Sequence, residues 1–310
     1  MPAHSGSKIS TAERGLDAYL TAARARVDAV LAAWGERAAA SWDAPVPDVV
    51  RYSLLGSGKR LRPTLVFASY EALGGAHPAI AELAAAVEVV HAYSLVHDDL
   101  PCMDNDDLRR GRATAHRAFD VPSATTAGFH MVGLAARVLA LGLNAMALER
   151  ERRRDIALEL FRAAGAGGMI GGQALDLEAE GRRLPVAALE EVHHRKTGAL
   201  IAASCVMGGL AAGGSSDRVE ALRGYGRAVG LAFQIADDVL DATGTSAQLG
   251  KTAGRDAALA KSTFVSLLGV GAARAEAERL VARAVDRLRD AGLASPTLVE
   301  LAHYVVTRSN

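Results

Sequence analysis

Two clusters of carboxylates, set far apart in a chain whose apolar residues recur at helical spacing, limit what this sequence can build. The first lies in Val96-His97-Asp98-Asp99-Leu100-Pro101-Cys102-Met103-Asp104-Asn105-Asp106-Asp107-Leu108-Arg109-Arg110-Gly111, where five aspartates fall within ten residues. Ile80, Leu83, Val87 and Val90 precede it at steps of three and four, the mark of a helix with one apolar face. His91, Leu95 and Asp98 share a stripe of that helix. Pro101 has no backbone N–H to donate and disturbs the helix, so Asp104 can come back beside Asp98. An ideal helix would leave the two roughly 120° apart.

The second cluster is Phe233-Gln234-Ile235-Ala236-Asp237-Asp238-Val239-Leu240-Asp241. Asp237 and Asp241 stack on one helix face, with Gln234 a turn earlier on the same side. Val239 and Leu240 between them suggest the wall of a cavity. Carboxylates this dense repel one another unless a cation joins them, and hard divalent ions with oxygen ligands suit them best. A single acidic turn would be satisfied by solvent; two acidic helical faces favour a paired metal–diphosphate site. An EF-hand is excluded: counting from Asp104, the fifth position is Leu108 and the sixth Arg109, where an acid or amide and then glycine are needed.

Cations recur nearby. Gly56-Ser57-Gly58-Lys59-Arg60-Leu61-Arg62-Pro63 is not a phosphate loop, because Ser53 stands at the first glycine position and Arg60 follows Lys59. Its three cations in four residues can nonetheless clamp a diphosphate, arginine bidentately and lysine as a point charge. Arg109, Arg110, Lys196, Lys251 and Lys261 occupy expected loops. His193 and His194 point about 100° apart on a helix and read as ordinary surface.

Lys plus Arg and Asp plus Glu are both 35, leaving no bulk charge to recruit nucleic acid or an anionic membrane. Cys102 and Cys205 suggest no disulfide framework, and Met1–Ser10 lacks the apolar core of a signal peptide, so a reducing, cytoplasmic location is expected. Gly198–Ser216 carries no charge but is rich in Ala and Gly, which favours a buried helix over stable membrane insertion. No window alternates as a strand does. The expectation is an all-α protein: a disordered stretch over residues 1–10, then one helical domain over 11–310, a bundle around a central cavity. Its first helix should run from Thr11 to Ala40 with Val27, Val30, Leu31 and Trp34 on one face.

Taken in order, Gly58-Lys59-Arg60-Leu61-Arg62-Pro63, Asp98-Asp99 to Asp104, Arg109-Arg110-Gly111, Gly172-Gln173 with Asp176, Lys196-Thr197-Gly198 and Asp237-Asp238-Val239-Leu240-Asp241 form a specific set. The chain resembles the trans-isoprenyl diphosphate synthases, the farnesyl and geranylgeranyl types especially. That resemblance implies an apolar cavity in a homodimer. It also implies head-to-tail condensation of isopentenyl diphosphate with dimethylallyl or geranyl diphosphate. Asp98, Asp104, Asp237 and Asp241, with Asp99 and Asp238 beside them, would bind Mg2+, three ions per site, with Mn2+ as the alternative. Arg109, Lys196, Lys251 and Lys261 would help hold the allylic diphosphate. Lys59, Arg62, His91 and Arg110 would bind isopentenyl diphosphate, and Gln173, Thr197 and Gln234 would face the reacting carbons.

Departures from the family pattern bear on product length. Ala127-Gly128-Phe129-His130-Met131 replaces a usual acidic segment, and Ala113 stands where proline is common. Tyr93 and Ser94, five and four residues before the first aspartate, would floor the growing chain. A large Tyr93 favours farnesyl over geranylgeranyl diphosphate. A terpene cyclase is disfavoured by Asp237-Asp238 together with Lys59 to Arg62, and a non-catalytic partner subunit by the survival of both acidic clusters.

Overall fold

The computed structural model describes residues 11–244 and 261–308, and these are almost wholly helical. In chain order the helices are α1 (Thr11–Ala39), α2 (Val46–Leu54), α3 (Leu61–Ala72), α4 (Ile80–Asp98), α5 (Ala115–Ala118), α6 (Val121–Ala145) and α7 (Arg150–Ala164). There follow α8 (Met169–Glu178), α9 (Val186–His193), α10 (Ala199–Ala211), α11 (Ser216–Thr243), α12 (Phe264–Leu268), α13 (Val270–Asp290) and α14 (Pro296–Thr307). A π-helical turn, His194–Gly198, joins α9 to α10. The fold is all-α, as expected. Residues 1–10 and Lys251 lie outside the described residues.

One departure is a small hairpin. β1 (Leu108–Arg109) pairs antiparallel with β2 (Arg112–Ala113), Leu108 opposite Ala113. Arg110 and Gly111 between them have φ of 52° and 74°, the two positive values of a type I′ turn, which glycine tolerates best. Strands of two residues are too short to alternate visibly, so the sequence reading missed them.

α4 differs from its expected single apolar face. Ala84, Ala85, Ala86 and Val89 are as fully buried as Leu83 and Val87, because α6 packs on one side and α3, α1 and α2 on others. A helix apolar all round belongs in a core. α11 packs on α13, α10 and the π-turn. The buried side chains form two clusters, one around α4 and α6, the other around α11 and α13, with α3 and α10 contributing to both. The uncharged segment after Gly198 is the buried helix α10, 13 residues long. α11 meets it at Gly226, where a Cβ would stand 2.6 Å from the Ala202 Cα. α4 and α6 are long and apolar enough to cross a membrane by composition, but 72% and 50% of their apolar windows are buried inside the protein.

Candidate active site

Both acidic clusters sit at or near the C-terminal ends of core helices, α4 and α11. Helix dipoles disfavour negative charge there, so the carboxylates need cations. After Pro101 the chain turns back, and the Asp104 N–H donates to the Asp98 carbonyl at 2.8 Å while Asp106 N–H donates to Asp99 at 3.1 Å. The expected return of Asp104 to Asp98 is therefore a backbone hydrogen bond. Asp98 and Asp104 line a cavity of about 420 Å³, which Gln234, Asp237 and Asp238 of α11 also line. Lys196, Lys261, Asp176 and His193 line it too, as do Arg109 and Arg110. Burial raises the Asp98 carboxyl to about 6; Lys196 opposes the shift and Asp104 adds to it.

Not every aspartate faces this cavity. Asp99, 3% exposed, is held by Arg109, whose Nε donates to Oδ1 at 2.7 Å and Oδ2 at 2.9 Å. Asp99 lines a smaller neighbouring cavity of about 80 Å³ instead. Asp99 and Arg109, the one expected beside the metal and the other expected to help hold the allylic diphosphate, thus form a pair that ties the hairpin to α4, while Arg109 also lines the larger cavity. Asp238 accepts the Phe264 N–H at 2.7 Å, anchoring α12. Asp241 is buried, at 7% exposure, and does not line the larger cavity.

The basic stretch divides in two. Arg60 has φ 51° at the start of α3. Its guanidinium turns inward, to Glu88 at 2.8 Å and Asp28 at 2.8 Å, so it builds the fold rather than clamping substrate. Lys59 and Arg62 remain near the site. Burial and Arg308 lower Lys59 to about 8, with Asp237 opposing. Burial lowers Arg62 to about 10, and its Nε has no hydrogen-bond partner among the described residues. His91 is pushed well below its ordinary value by burial and then by Arg62 and Arg110, so it is a neutral imidazole among guanidiniums. Arg110 donates to the Ser57 carbonyl at 2.6 Å. Arg110 also interacts electrostatically with Lys59, Arg62 and His91.

A hydrogen-bonded chain crosses the site. The Thr197 hydroxyl donates to Gln234 Oε1 at 2.9 Å, the Gln234 amide to Asp237 at 3.3 Å, and Arg308 to Asp237 at 2.6 Å. Lys196 and Thr197 lie in the π-turn, not in a loop. Gln173 is 5% exposed with both amide atoms unpartnered among the described residues, and it does not line the larger cavity. A divalent oxygen-seeking ion fits this donor set: four carboxylates on two walls, one of them raised by burial. Among the described residues no three His, Cys or acidic side chains converge into a ready-made cage. Magnesium takes one or two carboxylates and keeps its other positions for water and phosphate, so it asks little more than facing carboxylates of the protein.

The polyprenyl synthetase family model matches residues 44–292. The chain belongs to that family. It is 44% identical over 269 residues to the farnesyl diphosphate synthase of Escherichia coli (strain K12), covering 86% of this chain and 90% of that enzyme. It is 42% identical to the heterodimeric geranylgeranyl pyrophosphate synthase large subunit 1 of Arabidopsis thaliana, covering 86% and 72%. A geranyltransferase from Helicobacter pylori, solved with magnesium and isoprenyl diphosphate, superposes with a TM-score of 0.79 at 30% identity, over 97% of this chain and 98% of that one. The geranyltransferase of Legionella pneumophila gives 0.78 at 34%, over 96% and 97%. This polyprenyl synthetase is a short-chain trans-prenyltransferase.

Within this synthetase fold, Tyr93 and Ser94 are both buried, at 6% and 9% exposure. Burial and then the Asp98 charge raise the Tyr93 hydroxyl to about 12. The Tyr93 ring lies edge-on to His97 at 6.1 Å, and His97 to Phe129 at 5.1 Å. The departure at Ala127–Met131 therefore lands on the face of α6 behind Tyr93, and His130 packs on Trp42 at 4.6 Å. Two site residues, His193 and Arg308, escaped notice in the sequence, and a third, Asp176, stood in the motif set without a role. His193, taken as surface, lines the cavity 3.8 Å from Asp238 and stacks on Phe264 at 5.8 Å. Arg308 reaches Asp237 across 71 residues, and Asp176 meets two lysines. Only the place of Asp176 one turn after Gly172-Gln173 signalled any of these.

Proposed function

We propose that the enzyme condenses isopentenyl diphosphate with dimethylallyl and geranyl diphosphates and stops at farnesyl diphosphate. The observation that carries this reading is one cavity lined by Asp98 at the end of α4 and Asp104 in the turn after it, by Asp237 and Asp238 from α11, and by Lys196 and Lys261. In this scheme the aspartates, with Asp241 behind them, hold magnesium, and Lys196 and Lys261 hold the allylic diphosphate with it. Magnesium, when bound, neutralises the diphosphate and stabilises the charge on the leaving oxygen. Thr197 and Gln234 present fixed dipoles toward the allylic cation without attacking it. Lys59, Arg62, Arg110 and neutral His91 bind isopentenyl diphosphate. The released diphosphate takes the final proton, since His91 is already committed among arginines.

A homodimer in the cytoplasm, built from one helical domain per chain, fits the same reading. Val121, Phe129, Val132, Ala136 and Ala140 form an exposed apolar stripe on α6, with Phe129 67% exposed; such a stripe marks an association surface. Incubating the purified chain alone with Mg2+, isopentenyl diphosphate and geranyl diphosphate tests the reading. Farnesyl diphosphate as the end product supports it. Geranylgeranyl diphosphate would move the product assignment; a cyclic hydrocarbon, or no turnover without a second protein, would overturn it.

A further inference from the structure

The 420 Å³ cavity contains a carboxylate that faces lysines rather than a metal wall. Asp176 Oδ2 accepts from Lys196 Nζ at 2.6 Å and from Lys261 Nζ at 3.1 Å. Two ammonium groups that approach through different elements thus converge on a single oxygen. Lys261 has Asp104 at 3.8 Å and Glu180 at 3.7 Å as its other acidic neighbours. The side chains of Lys196 and Lys261 are 25% and 16% exposed, so both still open onto the cavity.

The backbone fixes this convergence. Gly172, one turn before Asp176 on α8, lies so close to the π-turn that a Cβ there would stand 2.1 Å from the Lys196 backbone nitrogen. On the other side, Ser262 Oγ accepts from the Leu184 N–H at 2.8 Å and donates to the Arg182 carbonyl at 3.2 Å, tying the segment that carries Lys261 to the chain just after α8. Without Asp176, Lys261 would be left between Glu180 at 3.7 Å and Asp104 at 3.8 Å, and Lys196 with the charge of Asp98, with nothing to hold the two ammonium groups on one point.

We propose that Asp176 is a positioning residue for the allylic diphosphate: its oxygen stands beside the place of a bridging diphosphate oxygen and holds both ammonium groups on one point. An ammonium has three donors, so each lysine keeps donors for phosphate oxygens while Asp176 retains one. The proposal rests on the prenyltransferase reading, with the wild-type protein serving as its control.

Inorganic pyrophosphate with Mg2+, titrated calorimetrically into wild type, Asp176→Asn and Asp176→Glu, separates the outcomes. Asp176→Asn removes negative charge from an anion site, so plain electrostatics would tighten pyrophosphate. Positioning requires the opposite sign: at least tenfold weaker pyrophosphate, a matching rise in KM for geranyl diphosphate, and an unchanged KM for isopentenyl diphosphate. Asp176→Glu keeps the charge with one extra methylene and should recover part of the loss; it also stands in if the Asn variant does not fold. Equal or tighter pyrophosphate in Asp176→Asn, a parallel loss for both substrates, or a Glu variant no better than Asn would overturn the role of Asp176. Failure of the wild type itself to bind pyrophosphate would overturn the underlying reading.

Discussion

Arg308 Nη2 lies 2.6 Å from Asp237 Oδ1, so a residue at the C-terminal end of α14 caps the second acidic wall. The guanidinium is only 3% exposed and stacks over Phe233 at 4.0 Å. It occupies a carboxylate assigned to metal, and it lies close enough to Lys59 to lower that lysine. In the proposed scheme metal and Arg308 would compete for Asp237. Arg308→Met should lower the half-saturating Mg2+ concentration for pyrophosphate binding by several-fold, a shift of about 1 kcal/mol for a partly exposed pair. An unchanged Mg2+ dependence would mean that Asp237 does not have to exchange partners.

Asp98 sets a pH dependence. Its folded value of about 6 lies above the ordinary 3.8, chiefly through burial. Between those values the metal-free fold binds more protons than the unfolded chain. The stability from this group is therefore present at low pH and lost as pH rises through about 6. Metal requires the ionised form, so Mg2+ affinity should fall as pH drops below about 6. Near that pH, binding should release roughly half a proton per Asp98. Calorimetry in buffers of different ionisation enthalpy reads the proton count; zero release at pH 6 would contradict the shift.

Arg60 and Glu88 are 6% and 3% exposed and joined at 2.8 Å. Removing one partner leaves a buried charge alone, so Arg60→Leu should cost about 3–5 kcal/mol in chemical denaturation. The double variant Arg60→Leu/Glu88→Leu should recover most of that loss. Asp28, whose side chain is 40% exposed, should contribute little.

Tyr93 should limit product length. Tyr93→Ala opens space between Asp98 and the His97–Phe129 ring contact, and chromatography of the products should reveal chains longer than farnesyl. The melting curve will also show a loss, because truncating a buried aromatic costs about 3–5 kcal/mol. An unchanged product would remove Tyr93 as the floor.

The sequence reading succeeded where chemistry and spacing along one helix suffice. Pro101 dictated the return of Asp104 to Asp98, and Asp237 with Gln234 followed from helical periodicity. It faltered where a partner comes from another element. Arg60 looked like a phosphate ligand because its cationic neighbours did, yet Glu88 and Asp28 draw it inward. Asp99 looked equivalent to its neighbour Asp98, yet a two-residue hairpin brings Arg109 back onto it alone. His193 looked like surface until α11 and α12 packed against it.

The amino-acid sequence alone determined the helical class, the two carboxylate clusters and the cationic stretches, since these depend on local periodicity and residue type. Only the tertiary structure decided which charges face the cavity and which neutralise one another. Lys261 reaches Asp176 across 85 residues of chain. A contact of that separation is set by how helices pack, which no local spacing encodes.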